Sequence, residues 1–546
     1  MRINSTKPIC LIGRVYDSIT DQCSVKSLFI DNGTIIKIIE GKSDSDLLPD
    51  SFIIELEDNE VIFPSFINLH THIGYNVLPL WNSPHIWYNR HQWRNSPQYA
   101  AEIKDFTSFI KKEWASKPAL LESFIADFIP ATKIASLLYD ESNSSYREFY
   151  MFRAITEVER IHAILSEIQA VCGGTGLLLQ TLSLDEEDPE MKHFLIRNTG
   201  NSEDMGINKS LKVFPVVDFY NPKIRPDGTP VADTSNWSPE KQGKLDNYIN
   251  SVNQNNANYY STIAHIGEGK SGNLYNATKD KYSLNECKQL FHELKQKVKS
   301  QYLRESNLIL VHANGIDYED SDTISFLKDN NISIVWSPVS NLLLYNDTLP
   351  IEKLLDENIN VCLGTDWTPS GSKHMLDEMK FARYYCDYFN IACSDKQIFD
   401  MSTTNAAKAL GNLKYSVIQE GAFADLFVYK TNNLENVLGD FLQSDDEKIK
   451  FSMINGRIIY GDTIVFENMK VDYQKFPDNE GEFSKDKAIS INANLNFNLE
   501  NAIKKMDSLI KAYSTETLGQ ELFRTKFLSS DDQVYKDRIS KLMQNL

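Results

Sequence analysis

His70 and His72 stand one residue apart in FINLHTHIGY (66–75). On a strand that spacing turns both imidazoles to one face. Alone, the pair reads either as two metal ligands or as two polar residues on a sheet edge. Three later segments shift the balance. AHIGEG (264–269) sets His265 and Glu268 three residues apart after an apolar run, LVHANG (310–315) ends a second run on His312, and LGTDW (363–367) ends a third on Asp366. Imidazole nitrogens with one carboxylate suit zinc first and ferrous iron second, and a catalytic centre keeps one position open for water. The expected cofactor is one divalent metal ion per chain, zinc or iron, held by His70, His72, His265 and Asp366. Its bound water, with a pKa lowered to about 7, supplies a hydroxide nucleophile. Glu268 has the chemistry to carry a proton from that water to a leaving nitrogen. His312 is placed to polarise the group under attack, and Asp366 to accept the water proton while it binds the metal.

These residues need strand ends to hold them. Eight apolar segments precede or carry them: VIFPSFINLH, GLLLQTLSL, HFLIRN, LKVFPVVDF, YYSTIAHI, NLILVHA, ISIVWSP and NVCLGTD. Most do not alternate, as expected of strands buried on both faces. Long stretches of helical character, such as LNECKQLFHELKQKVKSQYL, separate them. Eight β/α units predict a TIM (β/α)8 barrel, whose chemistry lies at the C-terminal ends of the strands. The first 60 residues and residues 417–470 instead read as short strands between Asn-Gly and Asp turns. The expected organisation is an α/β chain in three parts. Residues 1–62 and 413–470 form a composite β-sandwich, 63–412 the barrel with an inserted aromatic and helical segment at about 75–150, and 471–546 a C-terminal helical extension with no assigned role.

Composition narrows the partners. The chain has 546 residues and a formal net charge of −19. Phosphate backbones and anionic membranes need a basic surface, so nucleic acid is an unexpected partner and a small molecule the expected one. No run of 18 apolar residues occurs, which argues against a membrane span. Seven scattered cysteines without a C-x-x-C pair, and an N-terminus lacking an apolar signal core, point to reduced thiols and a cytoplasmic setting. The C-terminal extension leaves room for a homodimer or a protein partner.

Taken in order, the motifs resemble the amidohydrolase superfamily, in its mononuclear-metal branch of aminohydrolases, cyclic amidases and triazine hydrolases. VIFPSFINLHTH resembles that family's first-strand motif, HIGE its fifth-strand His with catalytic Glu, LVHANGIDYED its sixth-strand His, VWSPVSNLLLYN its seventh-strand P-x-S-N-x-x-L, and VCLGTDWTPSGS its eighth-strand Asp. TTNAAKALG and IQEGAFADLFVY resemble the last barrel helix and the return to the β-domain, so the resemblance spans about residues 8–465. It implies hydrolysis of a non-peptide C–N bond in a small cyclic or planar substrate, of deaminase or cyclic amidase type. Lys212 lies early in the fourth strand, whereas a two-metal site would need a carboxylated lysine at the C-terminal end, which favours one metal. Ser65 stands where glycine is usual, Trp336-Ser337 where His-Cys is common, and Trp367 where serine is usual. Arg197, Trp336 and Trp367 are the candidate substrate contacts, the first through its planar fork and the others as an aromatic wall. Two rivals stand beside this reading. One is an amidohydrolase fold turned interaction protein. The other is a P-loop nucleotide hydrolase at AHIGEGKS (264–271), which lacks the first glycine and an apolar-faced helix after it.

Overall fold

Burial on both faces marks the central strands. LILVH (308–312) and SIVW (333–336) are buried at every position, the pattern of parallel strands covered by helices. The computed structural model describes residues 7–43, 51–72, 76, 78, 81, 83, 85–104, 161–179, 195–199, 210–214, 239–254, 259–271, 282–412, 414–477, 486–491 and 497–507. Most of the expected insertion and of the C-terminal helical stretch lies outside these residues.

Five strands precede the barrel: β1 (Ile9–Asp17), β2 (Gln22–Asp31), β3 (Thr34–Glu40), β4 (Phe52–Glu55) and β5 (Glu60–Pro64). The barrel strands are β6 (Phe66–Asn68), β7 (Thr175–Leu178), β8 (Arg197–Asn198), β9 (Ser210–Phe214), β10 (Tyr259–Ile266), β11 (Leu308–His312), β12 (Ser333–Trp336) and β13 (Val361–Leu363). They pair in parallel as β6–β7–β8 and as β9–β10–β11–β12–β13. Thr71 bridges Asp366, and the Asp366 N–H donates to the His70 carbonyl at 2.8 Å, so the first and last strands meet. Among the described residues, β8 and β9 show no pairing. Helices at Tyr282–Lys297, Ser321–Asp329 and Ile351–Asp356 lie between successive strands. This is the α/β TIM-barrel plan.

Alternation sorts the strand side chains into two cores. Ile67, Leu177, Ile263, Ile309, Val311, Val335 and Cys362 pack together inside the barrel, whereas Leu308, Leu310, Ile334, Trp336 and Leu363 pack outward with the helices. Successive strand residues face opposite ways, so these assignments follow from one another.

The expected first strand, 61–70, is two strands. It breaks at Ser65, whose N–H donates to the Asp425 carbonyl at 3.0 Å. β5 stays in the outer sheet and pairs antiparallel with β14 (Leu426–Lys430), which joins the two chain ends. β15 (Ile449–Ile454), β16 (Arg457–Asp462), β17 (Gln474–Lys475) and β18 (Lys487–Ile489) complete it. The order is β17–β18–β16–β15–β14–β5–β1–β2–β3, with β4 on β1. One hydrogen-bonded surface thus runs through both ends, around a core that includes Leu28, Ile62, Val428 and Phe451. It continues past residue 470 through β17 and β18, strands too short to show a period. The helical stretch 499–507 packs into the main core through Ala502, Ile503 and Met506. Among the described residues, no helix is long and apolar enough to cross a membrane, and all seven cysteines are free.

Candidate active site

The barrel's C-terminal rim gathers the residues singled out above. His70 Nε2 lies 3.1 Å from His265 Nε2 and 3.3 Å from Asp366 Oδ1. His72 Nε2 is also 3.3 Å from Asp366 Oδ1. The ligand atoms of His70, His72 and His265 lie within 4.8 Å of one another, as do those of His70, His312 and Asp366. Glycine makes this approach fit: a Cβ on Gly364 would sit 2.5 Å from the His70 Cβ. His312, Ala313 and Asp366 hold left-handed φ values of 65°, 56° and 59°. Side-chain-bearing residues avoid that region, and strain of this kind clusters at functional sites. Val311 faces the barrel interior, so an extended His312 would point away. The left-handed turn is where the chain departs from that alternation, and His312 lies among the other histidines.

Electrostatics prepares the cluster for a cation. Burial pushes the His70 and His265 imidazoles well below their usual range, and the neighbouring histidines push the same way. Their nitrogens are therefore neutral lone-pair donors near neutral pH. Burial alone would raise the Asp366 carboxyl, yet His70 and His72 beside it hold it well below the usual carboxylate range. The imidazoles of His70, His72 and His265 with the Asp366 carboxylate, gathered around His70, form a donor set that fits zinc or another borderline divalent ion.

A surrounding layer orients these groups. Ser337 Oγ is 2.8 Å from His70 Nδ1, which leaves Nε2 for the cluster. Ser340 Oγ donates to Asp366 Oδ2 at 2.6 Å, so Oδ1 faces the histidines. Asn341 Oδ1 is 3.0 Å from His312 Nδ1. All three come from SPVSN (337–341), at the start of the helix Pro338–Tyr345. Such partners fix the tautomer and ring orientation of metal-ligating histidines. The motif was visible in the sequence, but its serine and asparagine roles were not.

Glu268 follows β10 and is buried. Its flanking glycines, Gly267 and Gly269, both have positive φ, and a Cβ on either would meet atoms at 2.6 Å or less. Glu268 Oε2 lies 3.8 Å from His312 Nε2 and 3.9 Å from Arg90 Nη1. Tyr345 donates its hydroxyl to Glu268 Oε1 at 2.7 Å. Neither Arg90 nor Tyr345 carried a signal in the sequence, because each reaches the site from an element whose position only the fold defines. In the rival P-loop segment, the Lys270 N–H donates to the Tyr88 carbonyl at 2.8 Å and the ammonium lies over the Tyr88 ring, while His265 and Glu268 face the cluster.

Two of the three candidate substrate contacts are elsewhere. Arg197 begins β8 at the outer-sheet side of the barrel, where its guanidinium pairs with Asp425, donates to Asn455 Oδ1 at 2.9 Å and stacks on Phe423. It is a buried structural ion pair, not an anion site. Trp336 points outward because Val335 points in; it is fully buried and donates its indole N–H to Thr348 Oγ1 at 2.7 Å. Trp367 packs on Trp93 and Tyr99 of the inserted segment, with ring centroids 5.7 and 6.0 Å apart. Trp81, Trp87, Trp93, Tyr99 and Trp367 pack as one aromatic cluster, which Trp336 does not join.

Comparison with known proteins adds a family likeness. Residues 234–459 match the profile of the Amidohydrolase family. The chain is 29% identical over 170 residues to a 5-methylthioadenosine/S-adenosylhomocysteine deaminase of Thermococcus onnurineus, a match covering 29% of this chain and 39% of that protein. It is 32% identical over 165 residues to a 5'-deoxyadenosine deaminase of Methanococcus maripaludis, covering 29% and 39%. These matches span about two fifths of the relatives' length. A solved guanine deaminase from C. acetobutylicum aligns with a TM-score of 0.48 at 14% identity, over 83% of this chain and 100% of that one.

Proposed function

We propose that this chain, whose residues 234–459 match the amidohydrolase family profile, is a metal-dependent hydrolase of a non-peptide C–N bond in a small planar substrate. The names of the matched relatives favour deamination of a 6-aminopurine nucleoside over ring opening. One observation carries the reading: His70, His72, His265 and Asp366 converge, with Glu268 and His312 beside them.

His70, His72, His265 and Asp366 would hold one divalent ion, zinc first. When bound, that ion makes water acidic enough to attack near neutral pH. Glu268 Oε2 takes a proton from the attacking water and gives it to the departing nitrogen. The carbon–nitrogen bond breaks, a carbon–oxygen bond replaces it, and the nitrogen leaves as ammonia. His312 presents Nε2 to the reacting group while Asn341 holds Nδ1, and it stabilises charge developing there. The aromatic wall around Trp93 and Trp367 excludes water and offers flat surfaces to a planar ring.

Finer assignments belong to the same proposal: a β-sandwich built from 1–62 and 413–470 and continued by β17 and β18, a barrel over 63–412, a cytoplasmic setting, and a homodimer or protein contact through the rest of 471–546. The test is ammonia release from 5'-methylthioadenosine, S-adenosylhomocysteine and 5'-deoxyadenosine by metal-loaded protein. Release that Glu268→Gln abolishes while metal content stays constant supports the reading. No release from any of the three refutes it.

A further inference from the structure

The Glu268 carboxylate is held by a hydrogen bond at Oε1 and faces a guanidinium from Oε2. Tyr345, fully buried at the end of the helix Pro338–Tyr345, donates to Oε1 at 2.7 Å and accepts the Trp93 indole N–H at 2.8 Å. Arg90, also fully buried, sits 3.9 Å from Oε2 and donates to Glu286 Oε1 at 2.9 Å. Glu286 in turn accepts the Gly267 N–H at 2.7 Å. Trp93 and Arg90 lie on one short helix, Arg90–Arg94, capped by Asn89. That helix is tied to the Glu268 loop by main-chain bonds, Arg90 N–H to the Glu268 carbonyl at 3.3 Å and Lys270 N–H to the Tyr88 carbonyl at 2.8 Å. The loop needs this help. Two positive-φ glycines flank Glu268, and a free Glu side chain would sample many rotamers.

We propose that Tyr345, backed by Trp93 and Arg90 of the inserted segment, is a positioning residue that occupies Glu268 Oε1 and so leaves Oε2, the oxygen facing His312, as the one that carries the proton. This rests on the reading of Glu268 as the proton carrier. The phenol hydroxyl has one proton, and it points at Oε1 while its oxygen accepts from Trp93. Rotation of the carboxylate would break that bond and turn the occupied oxygen toward His312. The inserted segment thereby sets which oxygen works, without touching the reacting atoms itself.

Two measurements test it, one needing neither metal nor substrate. A double-mutant cycle of Tyr345→Phe and Glu268→Ala is run on chelator-treated full-length protein, reading the urea midpoint. Direct contact makes Tyr345→Phe shift the midpoint less than half as far in the Glu268→Ala background as in wild type. Equal shifts in both backgrounds overturn the proposal. In the metal-loaded protein, ammonia release from 5'-methylthioadenosine, S-adenosylhomocysteine and 5'-deoxyadenosine is compared. Tyr345→Phe lowers kcat about 10- to 100-fold with KM within threefold and metal content unchanged, because a misaimed general base costs the chemical step rather than binding. An unchanged kcat, or a KM that rises as kcat falls, overturns the positioning role. Wild-type protein inert toward all three nucleosides overturns the deaminase reading, and the role of Tyr345 in turnover with it. An active wild type with an equally active Tyr345→Phe overturns only the role of Tyr345.

Discussion

Ser337→Ala isolates the layer behind the metal ligands. Ser337 is fully buried and its hydroxyl lies 2.8 Å from His70 Nδ1. His70 Nε2 is committed to the cluster, facing His265 and Asp366, so Nδ1 must carry the ring proton and donate it. Alanine removes the acceptor and leaves a buried N–H without one, at a cost of about 1–3 kcal/mol. At about 1.4 kcal/mol per tenfold, this weakens metal binding by about 5- to 150-fold. The range overlaps the roughly 10- to 100-fold typical of lost outer partners of metal-ligating histidines. Serine to alanine removes only one oxygen, so the fold should persist. The assay is competition with a chromophoric zinc chelator, with near-UV circular dichroism to confirm native packing. Ser337→Cys, a weaker acceptor, should fall between. Metal affinity unchanged in Ser337→Ala, with packing intact, would refute both the tautomer and the ligand role of His70.

Gly364→Ala should damage the same ligand by crowding, since its Cβ would meet the His70 Cβ at 2.5 Å. We expect about 1–3 kcal/mol of destabilisation and reduced metal content; full content at wild-type stability would contradict the packing described. Arg197→Met should cost about 3–5 kcal/mol by leaving Asp425 buried and unpaired, yet change KM little; a large rise in KM at wild-type stability would return Arg197 to the substrate site. Metal-free protein should lose stability as pH falls from 7 to 5, measured by the urea midpoint. The buried His70 and His265 resist protonation, whereas the same residues in the unfolded chain take up protons below about 6.5. Each then costs up to about 1.4 kcal/mol per pH unit below that value, while the buried Glu378 carboxyl, pushed up to about 8, offsets one such group; a midpoint that rises as pH falls over this range would contradict their burial as neutral groups.

Much of the centre was legible because strand ends carry local signals. An apolar run that stops on a histidine or aspartate is visible in one dimension, and His70, His265, His312 and Asp366 each ended such a run. The rim of a barrel then collects what the chain scatters. Trp336 was misread because residue type was weighed without register. Val335 faces inward, so its neighbour had to face the helices. Arg197 was misread because its partner Asp425 lies 228 residues away, in a segment that no local pattern links to the third strand. Tyr345 and Arg90 were missed for a related reason. Their value lies in reaching Glu268 across element boundaries, and neither spacing nor composition records that reach. The strands after residue 470 were overlooked because β17 and β18 have only two and three residues, too short to show a period.

Metal content decides the central assignment most directly. Purified wild-type protein loaded with zinc and freed of excess should contain about one ion per chain, since one convergent donor set is expected to hold one ion. The double variant His70→Ala/His72→Ala, folded by circular dichroism, should retain less than about a tenth of that, because two of four ligands are gone. A folded double variant with full metal content would contradict the assignment of this rim as the metal centre.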